Sequence, residues 1–162
     1  MIERVDGALA AIEKVLIVLL TTALVGIMMA QVVLRYFFNA PIFWAEEVSV
    51  QLLVYMTLFG LSLLVRSDGL VCIDFVPRAL SDRGRHMLLA LIGVLMLAML
   101  VYVVWLGWGW ITRPEVRIEQ SATLRFPRWY SYAVLPVAVA AMAWHQLAAV
   151  LRHLHHLRGV TA

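Results

Sequence analysis

The chain has 162 residues, of which 64% are hydrophobic and 14% are charged, and its mean hydropathy is +0.90. This composition excludes a soluble globular domain and indicates an integral membrane protein. The net charge of +3 is scattered without a basic run, so nothing indicates nucleic acid as a partner. A single cysteine, Cys72, excludes both a disulfide framework and a metal site built from several cysteines.

The first apolar segment is long enough to cross a membrane. Val15 to Leu34 gives 20 residues without a charge, which matches a hydrocarbon core of roughly 30 Å. Residues 1–14 carry both signs of charge, and we expect them to form a short amphipathic helix at the membrane surface. A signal peptide would have a shorter apolar core and a more basic start, so the pattern predicts an uncleaved helix.

A turn and a second span follow. Asn39-Ala40-Pro41 predicts the turn. The second span is expected at about 44–65, with two carboxylates in its first turn, and it stops at the polar residues that begin with Arg66. Residues 70–85 place three arginines among apolar side chains, which predicts a short interfacial helix between the second and third spans. An ordinary positively charged loop is the alternative.

Two further apolar runs complete the predicted membrane domain. The third span is expected at 87–111, and the fourth at 129–151 with a mild bend at Pro136. The polar stretch between them is too long for a tight turn, so we expect it to have structure of its own, with Pro127 near the start of the fourth helix. The predicted fold is a single all-α membrane domain over 1–162 with four transmembrane helices.

Charge and aromatic residues predict the same orientation. With both termini cytoplasmic, eight Lys and Arg residues fall inside and five fall outside. In the four-span arrangement most tryptophans fall at one face, as a membrane-interface belt does. These are Trp44, Trp105, Trp108, Trp110 and Trp129, with Tyr36, Tyr130 and Tyr132 beside them and Trp144 alone near the other face.

Polar side chains flank the first turn at matching depths. Gln31 and Arg35 are four residues apart on one helix, and Glu47 and Gln51 are four apart on the next, so each pair shares a helical face. In an antiparallel hairpin the two glutamines would each lie about 6 Å deeper than the charged residues. This predicts an ion pair between Arg35 and Glu46 or Glu47. Two alternatives stay open: the seam faces a partner protein rather than the neighbouring span, or these are unrelated polar residues facing lipid headgroups.

The sequence contains little that could carry catalysis or transport. Nucleotide-binding, metalloprotease, serine-hydrolase and CxxC motifs are all missing from it, so we expect no enzyme and no cofactor. His86 and His145 could in principle hold a haem, although they differ in depth and are better explained as helix-end or packing histidines. The main hydroxyls within the spans are those of Thr21, Thr22, Thr57 and Ser62, and each can bond its own helix backbone.

The order of motifs resembles the small, Q-type membrane subunit of tripartite ATP-independent periplasmic (TRAP) transporters. The resemblance covers most of the chain and rests on FN-x-P-x-x-W-x-EE after a basic span end, an R-x-D-G segment, and a late S-A-x-L-x-x-P-x-W. One departure is Leu70, where a histidine would be expected. The matching positions are Arg35, Asn39, Pro41, Trp44, Glu46, Glu47, Gly60, Arg66, Asp74, Ser121, Ala122, Leu124, Pro127, Trp129, Tyr130 and Pro136.

The resemblance implies a non-catalytic subunit in the bacterial inner membrane. Its partners would be a large membrane subunit that carries an organic acid with sodium, a periplasmic substrate-binding protein, and membrane lipids. The residues expected to serve structure or interfaces are Gln31, Arg35, Trp44, Glu46, Glu47, Gln51, Arg66, Asp74, Pro127 and Trp129. Two other classes stay open at this point: a small haem-bearing anchor of an oxidoreductase, and a self-sufficient four-helix channel or exporter.

Overall fold

The computed structural model describes residues 2–67 and 82–159, and most of both segments is helical. The helices are α1 (Ile2–Phe37), α2 (Ala45–Arg66), α3 (Asp82–Ile111), α4 (Pro114–Ile118) and α5 (Trp129–Gly159). Over the described segments the only β pairing is an isolated bridge between Gln120 and Pro127. The predicted all-α class is confirmed.

Four of the helices are long and apolar enough to cross a membrane. Their spanning portions are Ile2–Phe37, Ala45–Arg66, Met87–Ile111 and Trp129–Arg152. Three of the predicted spans fall inside these helices, and the second begins one residue early, at Trp44. The chain is therefore a multi-pass membrane protein with four spanning helices.

The first helix differs from the prediction at its start. The sequence suggested one or two amphipathic turns at the surface over residues 1–14, but α1 runs without a break from Ile2 into the first span. Asp6, Ala10 and Glu13 are buried on one face of these early turns, because spacings of three and four residues project from the same side of a helix. The surface location of these turns was wrong, since this face packs against the protein.

The fourth spanning helix is the centre of the bundle. Half of the residues in the apolar stretch of α5 are buried within the protein, whereas only 6% of those in the apolar stretch of α1 are buried. Helix α2 packs against both α1 and α5, while α3 packs mainly against α5. Helices α1 and α3 therefore lie at the periphery, and each leaves a broad apolar surface exposed.

Close packing of α3 on α5 depends on a glycine. A Cβ placed on Gly93 would lie 2.7 Å from Val150 Cγ2 and 3.1 Å from Gln146 Nε2. The Gln146 amide also donates a hydrogen bond of 3.2 Å to the Gly93 carbonyl. Small residues and single interhelical polar contacts are the usual means by which membrane helices approach one another.

The turn between α1 and α2 is fixed by backbone and side-chain hydrogen bonds. Asn39 has a positive φ of 51°, which asparagine tolerates at helix ends. The Ala40 amide donates to the Leu34 carbonyl at 3.0 Å. The side-chain oxygen of Gln31 accepts a hydrogen bond of 2.7 Å from the Ile42 amide. The predicted turn at 39–41 is confirmed.

The connection between α2 and α3 falls largely outside the described residues. The interfacial helix predicted over 70–85 lies there except for its last part, where α3 already begins at Asp82. Asp74 and Leu70 also lie outside the described residues. Helix α2 ends where predicted, at Arg66, and Ser67 follows with its amide bonded to the Leu63 carbonyl.

Candidate functional site

Four ionisable side chains meet at the end of the bundle where the chain begins. Asp6 Oδ2 pairs with Arg66 Nε at 2.8 Å, and Asp6 Oδ1 lies 2.5 Å from His145 Nδ1. The other ring nitrogen, His145 Nε2, lies 3.0 Å from Glu13 Oε2. We call Asp6, Glu13, Arg66 and His145 the acid–histidine cluster. It connects α1, α2 and α5.

The cluster is nearly closed to solvent. The His145 side chain is 0% exposed, Asp6 is 3% exposed and Glu13 is 2% exposed, whereas Arg66 is 35% exposed. Burying an unpaired charge costs several kcal/mol, so such groups persist only when their partners are placed beside them. The paired geometry accounts for charged residues in the first turns of a spanning helix.

Helical spacing explains how the sequence builds this cluster. Asp6 and Glu13 are seven residues apart, about two turns, and so share a face of α1. His145 follows Ala138 and Met142 on the buried face of α5. Arg66 is the last residue of α2. One imidazole on the central helix can thus reach carboxylates at two levels of α1.

A second polar cluster lies at the opposite end, where Glu47 holds the loop that precedes α5. The Glu47 carboxylate accepts hydrogen bonds from the Ser121 hydroxyl, the Thr123 hydroxyl and, at 3.0 Å, the Thr123 amide. A carboxylate that accepts several hydrogen bonds is a strong local anchor. We call Glu47, Ser121 and Thr123 the loop anchor. It fixes the loop to the first turn of α2.

The same loop is closed on itself. The Arg128 amide donates to the Glu119 carbonyl at 2.9 Å, and the Ser121 amide donates to the Phe126 carbonyl at 2.8 Å. The side chains repeat the closure: Arg128 Nη1 lies 3.0 Å from Glu119 Oε1 and 3.4 Å from the Tyr132 hydroxyl. The hydrogen bond to Glu119 raises the pKa of Arg128 above its ordinary value. With α4 at its start, the loop has structure of its own, as predicted.

The chain matches a known protein family over most of its length. The family model described as "Tripartite ATP-independent periplasmic transporters, DctQ component" matches residues 24–156. The chain belongs to this family. The resemblance seen in the sequence is confirmed, and the chain is a TRAP transporter small permease subunit.

Individual relatives agree with the family. The subunit is 26% identical over 151 residues to the sialic acid TRAP transporter small permease protein SiaQ of Vibrio cholerae, covering 93% of this chain and 86% of that one. It is 36% identical over 63 residues to the sialic acid TRAP transporter permease protein SiaT of Haemophilus influenzae, covering 39% of this chain but only 10% of that one. A putative TRAP transporter small permease protein of H. influenzae is 31% identical over 71 residues, covering 44% of this chain and 43% of that one.

The polar seam predicted between the first two spans is wrong in its pairing. In the described part of the subunit no ion pair joins Arg35 to Glu46 or Glu47. Arg35 is exposed, with its guanidinium 6.0 Å from the centre of the Tyr36 ring. Glu47 is occupied by the loop anchor instead, because two hydroxyls and an amide are closer partners than a guanidinium on an exposed helix face.

The two glutamines that were matched in depth serve different parts of the structure. Gln31 is buried and bonds the Ile42 amide, whereas Gln51 lines an open groove with Glu47, Tyr55 and other residues of α2 and α5. No hydrogen bond joins the two glutamines among the described residues. Gln31 therefore secures the turn rather than pairing across the hairpin.

Of the remaining predicted positions, Asp74 lies outside the described residues and Arg66 belongs to the acid–histidine cluster. The others lie at the loop end, the end of the bundle that carries the loop anchor. Trp44 precedes α2 and is half-buried, and Glu46 beside it is exposed. Pro127 forms the isolated bridge with Gln120. Trp129 begins α5 and stacks on Tyr130, with ring centres 3.7 Å apart.

Sequence reasoning missed the acid–histidine cluster as a unit. It placed Arg66 at a helix end and His145 among packing or helix-end histidines, and it assigned Asp6 and Glu13 to a surface segment. A signal was present, since two acids seven residues apart flank the small Ala10 on one helical face. Both nitrogens of His145 contact carboxylates, which leaves neither free for an iron axial bond, so the haem alternative has no support.

The hydroxyls within the spans follow the prediction in three cases out of four. Thr21, Thr22 and Thr57 each donate a 2.8 Å hydrogen bond to the carbonyl four residues earlier. Ser62 is fully buried on α2, and its hydroxyl has no hydrogen-bond partner in the described part of the chain. Hydrogen bonds to the backbone of their own helix therefore satisfy the three threonine hydroxyls but not the hydroxyl of Ser62.

Proposed function

We propose that this subunit is a non-transporting, non-enzymatic brace for the large membrane subunit of a sodium-driven TRAP carrier of organic acids. In this role it also helps to dock the periplasmic binding protein, and it lies in the bacterial inner membrane with both termini in the cytoplasm. It needs no cofactor. The observation that carries the proposal is that most of its inner polar groups bond within the subunit while its peripheral helices expose apolar surface.

Most of the inner polar groups bond within the subunit. In the described part of the chain, the buried side-chain atoms without a hydrogen-bond partner are Glu13 Oε1, Ser49 Oγ, Ser62 Oγ and Trp144 Nε1. Three of the four hydroxyls within the spans bond their own helices, and the two charged clusters are closed by partners within the subunit. A transport site requires unsatisfied polar groups that converge on a substrate or an ion near the middle of the membrane. The described residues do not converge in that way, which supports a role without transport.

The outer surfaces of α1 and α3 suit a protein partner in the membrane. Leu19, Val25 and Met29 on α1, and Leu95 and Met99 on α3, are more than half exposed. Membrane helices associate through close packing of such faces, because lipid is itself apolar and provides no hydrophobic driving force between helices. The similarity between 63 residues of this chain and one-tenth of the SiaT permease protein supports a place beside the large subunit.

The loop end is suited to docking a soluble partner. The loop anchor and the Glu119–Arg128 pair hold the loop in one shape. Ile118, Leu124 and Phe126 remain exposed on it. A rigid loop with exposed apolar side chains loses little conformational entropy when a partner binds. This supports a role in presenting a surface to the periplasmic binding protein.

The substrate class and orientation rest on similarity and charge. Two relatives are named as sialic acid transporter components, and sialic acid carries a carboxylate, so we propose an organic acid of this type. The excess of basic residues on the side of the termini supports a cytoplasmic location for both ends. A cysteine at position 119 should then react with an impermeant thiol reagent added from outside, and labelling only from the cytoplasm would refute the orientation.

The test of function is uptake by proteoliposomes that contain the large subunit, with the binding protein and organic acid outside. We expect uptake when this subunit is present and an inward sodium gradient is imposed. We expect none with a potassium gradient or when the subunit is omitted. Full uptake without the subunit would refute the bracing role, and uptake by the subunit alone would show that it transports.

A further inference from the structure

Both ring nitrogens of His145 contact a carboxylate, but a neutral imidazole has only one N–H to donate. His145 Nδ1 lies 2.5 Å from Asp6 Oδ1, and Nε2 lies 3.0 Å from Glu13 Oε2. An ionised carboxylate only accepts hydrogen bonds, and a neutral imidazole has a single N–H. With both carboxylates ionised and a neutral ring, one contact would set two lone pairs against each other. Each contact needs its own proton.

The charges of the buried groups support the same count. Arg66, Asp6 and Glu13 together with a neutral His145 carry a net charge of −1, and of these side chains only that of Arg66 is more than 3% exposed. One additional proton brings the cluster to neutrality. A buried cluster without net charge avoids most of the penalty for desolvating an isolated ion.

The additional proton belongs on the imidazole. In water the imidazole is a stronger base than a glutamic carboxylate by about two pH units. A proton on the ring lets both nitrogens donate, one to Asp6 and one to Glu13, with no loss of a contact. Among the described residues, α2 adds Arg66 to the cluster, and α3 adds no ion pair to it.

The cluster also has a route for exchange with water. An open cavity of about 370 Å³ at the same end of the bundle is lined by Glu3, Asp6, Arg66 and Arg152. Asp6 thus contacts both the cavity and the ring. A proton can reach His145 from the solvent side without crossing the apolar part of the bundle.

We propose that the cluster is a proton-binding site in which His145 is held as an imidazolium between Asp6 and Glu13. The bound proton joins the first turns of α1 to the central helix α5. This assignment rests on the contacts within the subunit and does not depend on a partner or on the proposed function.

The test measures the ring nitrogens of His145 directly. In the full chain with His86, His153, His155 and His156 changed to Gln, His145 is the only histidine. The protein is labelled with ¹⁵N-histidine, purified in micelles and examined by NMR at pH 8. An unperturbed histidine, with a pKa near 6.5, is about 97% neutral at that pH. We expect N–H signals from both ring nitrogens of His145.

The matched control is Glu13→Gln in the same background. Its amide can donate to a bare ring nitrogen, so the site no longer requires the additional proton, and we expect a neutral ring at pH 8. A bare nitrogen in the chain that retains Glu13 would overturn the proposal. An imidazolium that persists after Glu13→Gln would overturn the requirement for two carboxylates. If the four-fold variant does not fold, the difference between spectra of the natural chain and His145→Gln gives the same measurement.

Discussion

Replacing Gly93 with alanine should weaken the contact between α3 and α5. The added methyl would lie 2.7 Å from Val150 Cγ2 and 3.1 Å from Gln146 Nε2, whereas carbon atoms pack best at about 3.5–4.0 Å. Valine in a helix keeps mainly one rotamer, so Val150 cannot easily turn aside. The helices must therefore separate by roughly 1 Å at this level, which also lengthens the hydrogen bond from Gln146 to the Gly93 carbonyl.

The energetic cost of the close contact at Gly93 can be isolated by comparison with a second glycine. Gly26 lies within α1, and a Cβ there would meet nothing within 4 Å. Both Gly→Ala changes gain the same intrinsic helix propensity of about 1 kcal/mol, so their difference reports packing alone. Overpacking a fitted contact costs about 1–3 kcal/mol. We expect Gly93→Ala to be less stable than Gly26→Ala by that amount, measured by unfolding of the purified subunit in micelles.

A rescue variant sharpens the test. Val150→Ala removes the methyl group that the new Cβ would meet, so Gly93→Ala should cost much less in that background. Such non-additivity is expected of residues in direct contact. If Gly93→Ala is as stable as Gly26→Ala, or if Val150→Ala gives no relief, the close approach of α3 to α5 at this level is not what stabilises the pair.

Three further outcomes follow from the two ends of the bundle and from α2. Glu47→Gln should release the loop and speed its cleavage by added protease, because an amide cannot accept the three hydrogen bonds equally; the neighbouring Glu46→Gln is the control, and equal cleavage would contradict the anchor. Ser62→Ala removes a buried hydroxyl that lacks a partner, so it should raise stability by about 1 kcal/mol, and a loss of stability on thermal unfolding would contradict this. Gln51→Leu should reduce sodium-driven uptake only slightly. The double variant Glu46→Lys with Glu47→Lys should abolish uptake and prevent co-purification with the large subunit. If this double variant assembles normally but loses sodium coupling, the bracing role is contradicted.

The spanning helices were predictable because hydrophobicity over about 20 residues is a local property of the sequence. The turn at Asn39 was predictable for a related reason, since its conformational preference is local. The start of α1 was not predicted. A short stretch of mixed charge is typical of a surface helix. It is buried here because Asp6 pairs with Arg66 and His145, and these residues lie 60 and 139 positions away from it in the sequence.

Pairing of side chains was the least predictable part of the candidate site. Depth matching correctly grouped Gln31, Arg35 and Glu47 at the end of the bundle that holds the turn between α1 and α2. It could not foresee that Ser121 and Thr123 would compete for the carboxylate, because the loop that carries them is closed by its own backbone contacts. Matching depth is necessary for a contact across helices, but the rotation of each helix about its axis decides which groups meet.

The position of α5 has a consequence for how the subunit is made. Helix α3 packs mainly against α5, and α5 is the last of the four spanning helices to leave the ribosome. During synthesis α1 and α2 can associate early, but α3 must wait in the bilayer with Gly93 uncovered until α5 enters. A truncation before Trp129 would therefore leave the α1–α2 pair and a solitary α3 rather than a smaller bundle.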